Sequence, residues 1–80
     1  MRIIYEENGK ITCCEFIDIW SDKNILTVTI LYGSIGHKLC TGIIKFLMDE
    51  DVNTKKIVKK AAEKGFIDIT DCGTLIEDND

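Results

Sequence analysis

HKLCTGIIKFLM, residues 37–48, is the stretch on which the fold turns. Leu39, Ile43, Phe46 and Leu47 fall at helical spacing, whereas Leu39, Thr41, Ile43 and Leu47 recur as they would on one side of a strand. Three features favour the strand. Gly42 sits mid-segment, Thr41, Ile43 and Ile44 are β-branched, and Asp49, Glu50 and Asp51 would place negative charge at the negative end of a helix. Residues 37–48 are therefore expected to extend a sheet begun upstream.

Working back from this segment, Gly33-Ser34-Ile35-Gly36 is a turn signal, and ILTVTILY, residues 25–32, is rich in the β-branched residues that suit a pleated surface. RIIYEE, residues 2–7, and the alternating run from Lys10 to Trp20 flank Asn8-Gly9. That dipeptide tolerates the two positive φ angles of a type I′ hairpin turn. A two-residue loop opposes Glu7 to Lys10, Tyr5 to Thr12, Ile4 to Cys13 and Arg2 to Glu15, which yields two cross-strand pairs of opposite charge.

Ser21-Asp22-Lys23-Asn24 marks the next turn. Opposing Trp20 to Ile25 across it sets Ile19 against Leu26, Ile17 against Val28 and Cys13 against Tyr32. One face then carries Ile11, Cys13, Ile17, Ile19, Leu26, Val28, Ile30 and Tyr32, interrupted only by Glu15, and reads as core. The other carries Cys14, Phe16, Trp20, Ile25 and Leu31 among Lys10, Thr12, Asp18, Thr27 and Thr29, with Ile3 and Tyr5 continuing it onto the first strand. A bulge in these strands would reassign every position beyond it.

Downstream, Asn53 is an N-cap for TKKIVKKAAEK, residues 54–64, and Gly65 is its stop. Ile57, Val58, Ala61 and Ala62 fill one arc of this helix, with Lys55, Lys56, Lys59, Lys60, Glu63 and Lys64 around the rest. FIDIT, residues 66–70, reads as a short last strand. The expected architecture is α+β: an antiparallel β-meander of four to five strands, curled toward a small barrel, with one amphipathic helix packed on it. Residues 1–76 form a single domain in this reading, and the acidic residues 77–80 a frayed tail.

Eighty residues allow one small core, and 45% hydrophobic with 30% charged residues places the chain in the globular range. No apolar run approaches the ~18 residues of a membrane span, and MRIIYEENGK lacks an apolar signal region. A cytoplasmic protein without a membrane partner is expected, with Cys13, Cys14, Cys40 and Cys72 as free thiols. Low arginine, no proline and many Ile, Lys, Asn and Asp residues suit an AT-rich bacterial or phage genome.

Catalytic and metal chemistry find little footing. A structural zinc site needs four converging ligands, whereas adjacent Cys13 and Cys14 on an extended strand leave opposite faces. Neither a Cys-x-x-Cys pair nor a base beside a thiol is visible, and Asp71 beside Cys72 disfavours its thiolate. His37, the one histidine, follows a turn and has no evident orienting partner. No enzyme activity, cofactor or metal is expected.

The leading expectation is a non-catalytic protein-interaction module that binds another protein, or a second copy of itself, through Tyr5, Phe16, Trp20 and Ile25. Large aromatic side chains recur in binding hot spots. Size and composition would suit a phage-type inhibitor or regulator of a host protein. The alternative is a nucleic-acid-binding protein using Lys55, Lys56, Lys59, Lys60 and Lys64, the one basic concentration in a chain of net charge −4.

Overall fold

The computed structural model describes residues 1–79. Among them, β1 (Arg2–Glu7), β2 (Lys10–Asp22), β3 (Ile25–Ile35), β4 (Lys38–Met48), β5 (Phe66–Asp68) and β6 (Gly73–Asn79) form one sheet in the order β5-β1-β2-β3-β4-β6. A helix, α1 (Thr54–Lys64), joins β4 to β5. The α+β reading holds at that level, and the ambiguous segment is a strand.

Four to five antiparallel strands become six in a mixed sheet. β1 to β4 are the expected meander, but β5 lies parallel to β1 and β6 pairs antiparallel with β4. The Arg2 N–H donates to the Gly65 carbonyl at 2.9 Å, so α1 delivers the chain to the point where β1 begins, and β5 can only run beside β1 in its own direction. β6 was not legible because Gly73, Glu77, Asp78 and Asn79 are poor strand formers. The free edge of β4 templates it. Three of the four residues expected in the acidic tail lie in β6, and Asp80 is outside the described residues.

The β1–β2 hairpin has the expected register throughout, with Asn8 and Gly9 at φ 52° and 78°. The next turn is tighter than expected: Asp22 opposes Ile25, leaving Lys23-Asn24 as the loop, and Trp20 opposes Thr27 instead of Ile25. A register shift between Phe16 and Asp18 then inserts Ile17 as an extra residue. It turns Cys14 and Phe16 onto the side of Ile19, Val28 and Ile30, and turns Ile11 and Cys13 away from it.

The expected core face is therefore corrected. Ile19, Leu26, Val28 and Ile30 are buried, but Ile11, Cys13, Ile17 and Tyr32 are exposed, and Ile3, Tyr5 and Phe16 take their place inside. Alternate residues of β4, namely Ile44, Phe46 and Met48, complete this face.

The sheet is strongly curled. β1 and β6 come within 8 Å between Cα atoms, where a flat sheet would hold them about 19 Å apart, four strand spacings. Tyr5 and Phe46 meet inside the curl, ring centroids 5.2 Å apart at 66°. This edge-to-face arrangement adds to the value of their burial.

α1 packs over β2 and β5 on the concave side. Asn53 Oδ1 accepts from the Lys56 N–H at 3.1 Å, and Gly65, at φ 67°, closes the helix by donating its N–H to the Ala61 carbonyl at 2.8 Å. Thr54 Oγ1 donates to the Lys23 carbonyl at 2.7 Å, pinning the helix start to the β2–β3 turn. The contact stripe is Thr54, Ile57, Val58 and Ala61, and Ala62, expected beside them, is exposed. No helix of the described residues is long and apolar enough to cross a membrane.

Candidate functional site

The four residues expected to form one aromatic surface lie on two. Tyr5 and Phe16 are 4% and 2% exposed within the concave core, whereas Trp20, 42% exposed, and half-buried Ile25 lie on the convex face. The extra residue at Ile17 separates Phe16 from Trp20, which simple alternation would keep together.

The convex face is bare, since the helix occupies the other side. In register across it run Trp20, Thr27, Lys45 and Glu77, flanked on β4 by Ile43 and Leu47. Ile17, Trp20, Ile43 and Leu47 are all exposed, while Thr27 between Trp20 and Lys45 is buried. Lys45 Nζ and Glu77 Oε2 lie 3.5 Å apart, an exposed ion pair of small energetic weight. The result is a mixed surface, on which exposed Trp20, Ile43 and Leu47 are interleaved with Thr27 and the Lys45–Glu77 pair. Ile17, Ile43 and Leu47 were not assigned to it from sequence. The signal for β4 was its alternation, Ile43, Lys45 and Leu47 against Ile44, Phe46 and Met48.

Of the adjacent cysteines, the inside and outside positions are the reverse of those expected. Cys14 packs against the core and Cys13 is exposed. Cys14 Sγ and Tyr5 Oη share a hydrogen bond of 3.7 Å. Burial, then this bond, raises the Tyr5 phenol above its ordinary value. Burial likewise pushes the Cys72 thiol up, helped by the carboxylates of Asp49, Asp68 and Asp71. Such a thiol is held in its un-nucleophilic form. Asp68 moves the other way, because the Thr70 N–H and hydroxyl donate to its Oδ1 at 3.0 and 2.7 Å. That is a turn-closing contact.

Among the described residues no three of His, Cys, Asp and Glu converge as metal ligands. His37 is exposed at the tip of the β3–β4 hairpin. Lys55, Lys56, Lys59, Lys60 and Lys64 are all exposed on α1, away from the convex patch. Comparison with family models, curated proteins and solved structures returns no match.

Proposed function

We propose that this chain is a non-catalytic protein-interaction module that contacts its partner through the convex sheet face centred on Trp20. The observation that carries the reading is the uncovered patch itself. Trp20, Ile17, Ile43 and Leu47 stay exposed on a sheet whose other face receives the helix. Large apolar side chains left exposed on an uncovered face are candidate contact positions, and Trp is among the residue types most enriched in binding hot spots. Of the surface expected from sequence, Trp20 and Ile25 take the contact role, while Tyr5 and Phe16 hold the sheet that presents them.

The partner is another protein, and an inhibitor or regulator of the kind a phage encodes suits a chain of this size. Four free thiols suit a reducing compartment such as the cytoplasm. A second reading, nucleic-acid binding, draws on the five exposed helix lysines.

The two readings separate with two variants, Trp20→Ala/Leu47→Lys and Lys56→Glu/Lys60→Glu. A purified protein partner should lose at least about tenfold in affinity with the first and little with the second, as expected for a central hot spot. Binding that falls steeply with salt and disappears with the second variant would overturn the convex-face reading in favour of nucleic acid.

A further inference from the structure

A cleft of about 570 Å³ lies where the curled sheet fails to close, between the β1–β2 turn and the start of β6. Its walls include Glu6 and Glu7 on one side, Gly73 and Leu75 on the other, and Asp49 and Asp71 beside the start of β6. No basic residue lines it.

Both strand edges at this seam carry backbone groups without a strand partner. Arg2 donates its N–H to Gly65 at 2.9 Å and Ile4 accepts from the Ile69 N–H at 2.9 Å, so even-numbered residues of β1 point away from β2. Alternation makes Glu6 the next of them, and it lies beyond the end of β5. On the opposite wall, the Asp49 N–H donates to the Cys72 carbonyl at 3.0 Å, so Cys72 and Thr74 direct their backbone groups toward β4. Gly73 and Leu75 consequently direct theirs out of the sheet edge, into the cleft.

Strand directions complete the geometry. Successive antiparallel pairings from β1 through β2, β3 and β4 to β6 leave β1 and β6 parallel to each other. A segment running opposite to them would be antiparallel to both, the more stable ladder.

We propose that this cleft takes an extended, lysine- or arginine-containing peptide segment of a partner protein, which adds to the edge of β6 as an antiparallel strand and meets Glu6 on its other side. Main-chain bonds supply the binding, and basic side chains meet the acidic lining, Glu6 on one side of the sheet and Glu7 on the other. An inserted strand needs about 9.6 Å between its neighbours, two strand spacings. β1 and β6 approach to 8 Å or less, so the seam must widen by at least about 2 Å at its narrowest to admit the strand. Thr74 on the cleft wall opposes Leu47 of the convex surface, but Trp20 lies three strands from β6, so a Trp20→Ala variant separates the two readings.

The test titrates the intact protein with a capped peptide of alternating lysine and valine, and with its counterpart N-methylated at every second residue. Amide NMR shifts should move at Glu6, Gly73 and Leu75, and those three amides should exchange more slowly in the complex. The N-methylated peptide should fail to bind, because the ladder is broken. In Glu6→Lys/Asp71→Lys, two exposed positions whose substitution leaves the core untouched, affinity should fall roughly tenfold or more. Absence of binding, shifts confined to α1 or the Trp20 face, or equal binding by the N-methylated peptide would each overturn the proposal.

Discussion

The concave and convex faces of the sheet draw on the same residue types, large aromatics and β-branched aliphatics, yet only one is sealed. Phe16 and Trp20 are four residues apart on the same strand; the first is 2% exposed beneath the helix side and the second 42% exposed on the bare side. Hydrophobicity alone does not distinguish them. What does is the extra residue at Ile17, which turns the strand over between them. A single inserted position thus decides which aromatic stabilises the fold and which is offered to solvent.

Side-chain truncation gives the largest contrast. Phe16→Ala should cost about 3–5 kcal/mol in urea unfolding, as cavity-forming core substitutions do. Trp20→Ala should cost less than about 1 kcal/mol, as surface changes do. Similar losses at the two positions would mean that the convex face is as well packed as the core.

Alkaline pH probes the concave face through Tyr5. The folded protein holds the Tyr5 proton more tightly than the unfolded chain, because burial and the Cys14 contact favour the neutral phenol. The unfolded state therefore loses that proton first. Stability from Tyr5 is fully present below the ordinary phenol value of 10.0 and declines as pH rises above it. Chemical denaturation repeated across this range should show the decline, and Tyr5→Phe, which cannot ionise, should remove its Tyr5 part.

The smallest perturbation is chemical labelling of the adjacent cysteines. Iodoacetamide should modify exposed Cys13 well before Cys14, which packs on the core. Cys72 should also react slowly, its thiolate disfavoured by burial and three carboxylates. Mass spectrometry of a time course reads all three. Equal rates at Cys13 and Cys14 would remove the inside-outside distinction drawn at this pair.

The sequence by itself determined the features that depend on neighbouring residues. Asn8-Gly9 selects its turn because few other residues accept positive φ at both positions, and the register to Arg2–Glu15 follows from that turn. Asn53 and Gly65 bound the helix by local hydrogen bonds and the left-handed conformation of the glycine. Gly42 and the β-branched residues around it were enough to make residues 38–48 a strand. Trp20 and Ile25 share a face although Trp20 opposes Thr27 and not Ile25, because a shift of two residues in register preserves which side each residue faces.

Tertiary structure alone decided the rest. The bulge at Ile17 reconciles two hydrophobic patterns of opposite parity in β2, and its position depends on which residues of β1 and β3 lie alongside. β5 takes its direction from where the helix delivers the chain, and β6 takes its conformation from the open edge of β4 against its own poor strand propensity. The seam between β1 and β6 exists only because the sheet curls through five strands to bring distant edges together. These are pairings between residues remote in the chain, whose free energy is gained only when the partners meet and so leaves no local trace in composition or periodicity.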